Sequence, residues 1–226
     1  MRFLFSFIFL VGLVSTLGAQ VLVDSTVVDD RYFEDQFYLG LSYNFVRNNP
    51  EGTDQRNLSY GLMGGLTKDI PLNKSRTRAL GLGLGLAYNS YYSNLVASES
   101  SGGITYVIDD NINRSKLETH SIEFPLEFRW RSSTAAEYKF WRVYGGVKAA
   151  YIVGARSKFV SKEAKDGFYN DDISKFQYGL SLSFGYNTFN IHAYYALSNV
   201  FDGTATLNGE AIEYKPLRIG LIFYIL

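Results

Sequence analysis

Between Ala79 and Tyr88 every second residue is large and apolar, within a run that extends from Arg78 to Tyr92. Leu80, Leu82, Leu84, Leu86 and Tyr88 fall on one side of an extended chain, with Ala79, Gly81, Gly83, Gly85 and Ala87 on the other. Side chains alternate across a strand with a period of two, so this run is a strand with one bulky face and one nearly bare face. A helix, with a period near 3.6, would scatter the same leucines around its circumference. The Gly-x-Gly-x-Gly pattern has the outline of a dinucleotide-binding fingerprint. Such glycines must end a strand and open a helix, whereas these sit inside a strand. Their expected use is to leave room inside a narrow barrel and to let the sheet coil sharply.

The same two-faced pattern recurs along the chain and predicts eight strands: 37–46, 58–69, 78–92, 117–131, 138–159 with a bulge, 173–186, 189–197 and 211–226. On the first, Phe37, Leu39, Leu41, Tyr43 and Phe45 oppose Gly40, Ser42 and Asn44. On the fourth, His120, Ile122, Phe124, Leu126, Phe128 and Trp130 oppose Thr119, Ser121, Glu123, Glu127, Arg129 and Arg131. The fifth alternates Trp141, Val143, Val147, Tyr151 and Val153 with Arg142, Tyr144, Gly146, Lys148 and Ala150. The connections alternate too. Those after strands one, three, five and seven (47–57, 93–116, 160–172, 199–210) are long and polar. Those after two, four and six are short, the last being the tight turn Asn187-Thr188.

In a soluble barrel the apolar face would point inward. Here the opposite face is small, polar and charged, and it suits a narrow polar lumen better than an exposed surface. The chain holds 18 Tyr, 17 Phe and 21 Gly against 4 Pro, which is the vocabulary of short alternating barrel strands. Alternating long loops and short turns is the habit of outer-membrane barrels. The expected fold is therefore all-β, an eight-stranded antiparallel transmembrane β-barrel over residues 37–226. A secreted β-sandwich or a lipocalin-like barrel is the alternative, and it leaves the alternation of loop lengths unexplained. The closing strand, with Leu217, Ile219, Leu221, Phe223 and Ile225 on one face, is expected to pair with the first and so remove the open edge. The pattern from Arg218 through Gly220, Phe223 and Ile225 resembles the C-terminal assembly signal of outer-membrane barrels, with Leu226 as one extra residue.

Arg2 followed by the apolar run Phe3–Val14 and a small, polar stretch up to Gln20 reads as a secretory signal peptide, residues 1–19. A single anchoring helix is the alternative, but the run falls short of the roughly 20 residues a span needs. Residues 20–36, with Asp24, Asp29, Asp30, Glu34 and Asp35, are expected to form a periplasmic segment. That places both termini in the periplasm and the long loops outside the cell.

Several kinds of chemistry are disfavoured by composition. With 22 basic and 22 acidic residues the chain has no net charge to attract nucleic acid. Without Cys it has no disulfide, thiolate or zinc–thiolate site, and with two His an imidazole-based metal cluster is not expected. Inward-facing Glu123, Glu127, Arg129, Arg142 and Lys148 are expected to pair across strands four and five, because a lone charge buried in a lumen is expensive. Glu123 and Glu127 have the makings of an acid–base couple, but their strand setting favours structural ion pairs. Asp109, Asp110, Asn111, Asp171 and Asp172 invite comparison with a loop calcium site, yet lack EF-hand spacing and read better as solvated charge. No nucleophile elbow is present. Tyr38, Tyr43, Tyr60, Tyr88, Tyr91, Tyr92, Trp130, Trp141 and Tyr186 are candidates for interfacial girdles, with His120 outward near one of them. No catalytic, cofactor-binding or metal residue is assigned, and no cofactor is expected.

The Ala19-Gln20 leader end, the Phe37-Tyr-Leu-Gly-Leu strand, Leu126-Glu-Phe-Arg and the Leu217-Arg-Ile-Gly-Leu strand resemble the small outer-membrane barrels of Bacteroidetes often called PorT-like. The resemblance covers residues 36–226. It implies membrane residence, a lipid bilayer and the barrel-assembly machinery as partners, and a non-enzymatic role. It names a secretion complex (the type IX secretion and gliding machinery) or another envelope assembly as a candidate partner, and it transfers no catalytic residue. A small channel or surface-binding barrel acting alone is the other class of function.

Overall fold

The computed structural model describes residues 35–132, 140–161 and 165–225. The leader, residues 20–34 of the N-terminal segment, the turn residues 133–137, residues 138–139 of the expected fifth strand, residues 162–164 of the expected loop after it, and Leu226 lie outside the described residues.

In chain order the strands are β1 (Asp35–Arg47), β2 (Tyr60–Pro71), β3 (Arg78–Ser93), β4 (Leu95–Ser100), β5 (Gly103–Ile108), β6 (Arg114–Arg131), β7 (Trp141–Val160), β8 (Lys165–Tyr169), β9 (Phe176–Tyr186), β10 (Phe189–Ala196), β11 (Thr206–Leu207), β12 (Glu210–Ala211) and β13 (Lys215–Ile225). Eight of them form the wall in the order β6, β3, β2, β1, β13, β10, β9, β7. A β6–β7 ladder closes the ring, and every pairing is antiparallel. The seam between the first and last strands runs from Phe37 opposite Ile225 to Arg47 opposite Lys215, so neither strand is left as an edge. The eight-stranded barrel expected from the alternation is the fold observed.

The faces also fall as expected. Leu39, Leu62, Leu84, Phe124, Val147, Leu182, Ile191 and Leu221, one from each wall strand, all lie on the exposed outer surface. An apolar belt running right round the molecule far exceeds the few hundred Å² of contiguous apolar patch that soluble monomers show. It suits hydrocarbon, where closed barrels are viable because every wall strand pairs on both sides. Aromatic side chains gather at both ends of the belt. At the turn end Trp141 stacks on Phe184 with ring centroids 5.2 Å apart and meets Tyr186 at 5.2 Å. At the loop end Tyr88 contacts both Tyr60 and the outward His120. Two girdle candidates are corrected: Tyr38 and Tyr91 are buried inside the barrel. Each has the parity of the inward set, since Phe37 and Leu39 flank Tyr38 on the outer face, and strand parity overrides aromatic character.

Two irregularities have local causes. Val153 is an extra residue on β7, because His120 pairs with Gly154 while Ser121 pairs with Ile152. This is the bulge expected in the fifth strand. The β3–β6 ladder lapses between Leu82↔Leu126 and Gly85↔Glu123. Pro125, which has no N–H to give, lies there with its ring turned inward against Gly83.

The loops depart most from expectation. Residues 93–116 are not a polar loop. They hold the β4–β5 hairpin, turned at Gly103 with φ of 114°, and the start of β6. Residues 165–169 continue the sheet as β8 on the edge of β7. Asn208 and Gly209, both at positive φ, make a two-residue turn between β11 and β12, the geometry that favours Asn-Gly in hairpins. Ala211 therefore belongs to that hairpin, and the last wall strand begins at Lys215. These loop segments pack together. Leu95, Ala97, Tyr106, Phe168, Ile173, Val200, Phe201, Leu207, Ile212 and Tyr214 form one buried cluster with Tyr91, Leu117 and Ile152 of the wall. Polar composition hid this, because each loop brings only a few apolar residues and they become a core only when the ring closes beneath them.

Candidate functional site

The lumen contains the molecule's densest collection of buried charge, arranged as two groups. Nearer the turn end, Asp69 of β2 accepts Arg129 Nη1 at 2.7 Å and Arg131 Nη1 at 2.8 Å, both from β6. Arg129 also donates to Glu127 Oε2 from Nη2 at 2.9 Å and from Nε at 3.1 Å. Its guanidinium lies 4.5 Å from the ring centroid of Tyr144 and 5.3 Å from that of Tyr224. In mid-barrel, Glu123 of β6 takes Lys148 of β7 at 3.0 Å and Arg218 of β13 at 3.5 Å. Arg218 and Lys148 both lie over the Tyr194 ring, at 4.7 and 5.5 Å. His192 shares a 2.8 Å hydrogen bond between Nδ1 and Ser183 Oγ, and its buried Nε2 has no hydrogen-bond partner among the described residues.

Small residues on β2 and β3 make this possible. A Cβ on Gly81 would sit 2.6 Å from Arg129 Nε, and one on Gly85 would sit 2.1 Å from Tyr38 Oη. The bare face of β3 is the space into which the side chains of β6 and β1 fold.

The expected pairing across strands four and five holds for Glu123 with Lys148. It fails for the rest in an instructive way. Glu127 pairs with Arg129 of its own strand, and Arg129 reaches past β3 to Asp69. Arg142 makes no ion pair with a carboxylate among the described residues. Its charge lies over the rings of Phe140 and Tyr224, 4.6 and 5.6 Å from their centroids. Cation–π contacts strengthen where water is excluded, and here they take the place of a carboxylate. Asp69 was missed although the inward parity of Gly61, Gly65 and Thr67 points to it. It lies near the end of its strand, where polar residues ordinarily mark a turn.

Chemically, the arrangement is that of a crowded interior in which five cations, Arg129, Arg131, Arg142, Lys148 and Arg218, face three carboxylates, Asp69, Glu123 and Glu127. Glu123 and Glu127 are each held by cations, not paired with one another as an acid–base couple. Among the described residues, two voids of about the size of a water molecule lie between these side chains, both lined in part by His192 and Lys148. At the loop end the cap is pinned by polar links. Asn94 donates to Asp110 at 2.9 Å and Arg56 meets the same carboxylate at 2.6 Å, while Tyr106 donates to Asp172 at 3.0 Å. Of the aspartates considered for calcium, Asp110 and Asp172 are engaged in these bonds and Asp109 in a turn, where its Oδ1 accepts from Asn111 N at 2.8 Å. Among the described residues no group of three or more His, Cys, Asp or Glu side chains is placed to hold a metal ion. Burial, with the Asp172 carboxylate beside it, raises the Tyr106 hydroxyl well above the usual phenol range, and burial pushes Tyr214 up to about 12. Both stay neutral in the cap.

The polar lumen, apolar belt and strand closure agree with what the chain is similar to. The model of the outer membrane protein beta-barrel domain family matches residues 19–202. No curated protein matches the sequence. Among solved structures, Ail, the attachment invasion locus protein of Yersinia pestis, is similar at 13% identity over 84% of this chain and 97% of its own, with a TM-score of 0.34. A mutant of the Rh. blastica porin is similar at 10% identity over 84% of this chain and 99% of its own, with a TM-score of 0.16. Similarities this distant carry no argument about role, whereas the family match spans most of the sequence. With a closed eight-stranded wall and its apolar belt in agreement, the chain belongs to the outer membrane protein beta-barrel domain family and is an outer-membrane β-barrel protein.

Proposed function

We propose that this protein is a non-enzymatic accessory subunit of a cell-envelope complex, working through its surfaces and not through its lumen. The observation that carries the reading is the interior. Ion-paired side chains fill the barrel, and a hydrophobic cap covers its loop end. A solute has no route through a packed eight-stranded lumen, which leaves the outer wall, the loops and the N-terminal segment for recognition. In this reading both termini lie in the periplasm, the long loops lie outside, and the acidic segment at 20–36 follows a cleaved leader. The PorT-like resemblance makes the type IX secretion and gliding machinery the first complex to test.

Copurification from gently solubilised outer membranes, after mild crosslinking, tests the proposal. Stable recovery with other envelope proteins supports it, and recovery only as a monomer under conditions that keep other envelope complexes intact counts against it. A second reading, a barrel that binds a surface ligand by itself, is favoured by the order of the cap, whose β4–β5 and β11–β12 hairpins, with β8, form a defined outer surface.

A further inference from the structure

The outward face of β6 and β7 continues above the apolar belt and changes character there. Rows across the sheet can be read from the register. Ile122 lies beside Tyr151, and next comes His120 beside Gly154. Above them Glu118 lies beside Arg156, Lys116 beside Lys158 and Arg114 beside Val160. β8 adds Gly167 next to Lys158 and Lys165 next to Val160. Below His120 this face is apolar, and above it is basic. Arg114, Lys116, Arg156, Lys158 and Lys165 surround one open pocket. Among the described residues the carboxylates nearby are Asp166 and Glu118, and Glu118 is taken up between the ammonium groups of Lys116 and Lys158. Neither Arg114 nor Lys165 has a carboxylate partner among the described residues. Gly167 gives the Lys158 stem room, since a Cβ there would lie 2.9 Å from Lys158 Cγ. The whole chain carries no net charge, so this local excess of cations is a feature of the site.

From His120 and Val153 sideways across β3 onto β2 and β1, the outer wall is hollowed. Leu39, Leu62, Gly64, Leu86, His120 and Val153 line an apolar depression. Gly64 is an outward position with no side chain, and Val153 is the bulged residue of β7. The basic rows begin about 7 Å along the strand above His120 at the usual rise per residue, which is the headgroup layer if the aromatic end of the belt marks the hydrocarbon boundary. Long Lys and Arg stems can bring their charges down to that level.

We propose that this strip of the outer wall is a binding site for a phosphate-bearing lipid, with the phosphate held by Lys116, Lys158 and Arg114 and an acyl chain lying in the hollow over Gly64. The inference goes beyond the envelope-complex reading and does not depend on which partner that complex supplies. Clustered cations strongly favour an anionic phosphate through charge-assisted hydrogen bonds, and the adjoining hollow favours a lipid over free phosphate.

The test uses the full-length protein in nonionic detergent, with phosphatidic acid, phosphatidylcholine and sodium phosphate as probes and native mass spectrometry to count retained lipid. Phosphatidic acid should be retained at least about tenfold over phosphatidylcholine. Lys116→Ser with Lys158→Ser should abolish the preference. Glu118→Gln should strengthen it, because the carboxylate competing for both lysines is gone. Gly64→Leu, which fills the hollow, should weaken retention of phosphatidic acid. Heat-shifted gel migration identifies folded barrels, so only folded variants are compared. Equal retention of the two lipids by the wild type, or an unchanged preference in the double variant, would overturn the site. Displacement of phosphatidic acid by sodium phosphate alone would also overturn it as a lipid site, because the hollow would then contribute nothing.

Discussion

Arg129 of β6 meets Asp69 of β2 at 2.7 Å although β3 stands between their strands. The guanidinium crosses β3 at Gly81, the residue with no side chain to obstruct it. One contact therefore links a buried carboxylate, a long cation and a glycine on three strands, and it defines what fills this barrel at the turn end.

Removing the carboxylate should be costly. Asp69→Ala leaves Arg129 and Arg131 with their shared acceptor gone, and breaking a buried pair from one side typically costs about 3–5 kcal/mol. Urea unfolding of the barrel from lipid vesicles measures this. A loss under about 1 kcal/mol would mean that the remaining acceptors, Glu127 above all, suffice to hold both arginines.

The glycine face makes a sharper prediction, because its obstruction is specific. Gly85→Ala places a methyl where Tyr38 Oη lies, so it should destabilise the barrel by about 1–3 kcal/mol. Tyr38→Phe removes that oxygen. Combined with Gly85→Ala it should recover part of the loss, giving a coupling of about 0.5–3 kcal/mol in a double-mutant cycle. Simple additivity of the two substitutions would contradict the packing described.

The cap should be separable from the wall. Ile212 is fully buried in the loop-end cluster, and Ile212→Ala should cost about 2–5 kcal/mol locally. The wall strands do not rely on it, so heat-shifted migration should persist while proteolysis in residues 197–214 speeds up. Loss of the folded band would show that cap and wall form as one unit.

Transport through the lumen is the simplest way for the proposed function to fail. Purified protein in planar bilayers should show no steady conductance. A reproducible open level, altered by Lys148→Glu or Arg218→Glu, would return the barrel to the class of small channels.

Much of this architecture was legible in the residues. Period two over long runs identified the wall strands, and the alternation of long and short connections supplied the up-and-down order. The bare face of Gly81, Gly83 and Gly85 indicated a crowded interior. Asp69, Tyr38 and Tyr91 were readable by the same parity, but position at a strand end and aromatic character drew attention away from it. The loops were not readable. Ser-Gly-Gly at 101–103 and Asn208-Gly209 marked turns, yet Leu95, Tyr106, Phe168, Phe201 and Ile212 are dispersed among polar neighbours.

Sequence alone determined which face of each strand is apolar, because alternation is a local property of an extended chain. It determined the barrel for the same reason, since long two-faced strands with an apolar outer belt have few other ways to satisfy their backbone in a membrane. Only the tertiary structure decided which charges meet. Periodicity says that Arg129 points inward, but whether it finds Glu127, Asp69 or an aromatic ring depends on register and on what β3 leaves empty. The cap, and the basic strip above the belt, were settled at the same level. Residues far apart in the chain become one surface only when the ring has closed.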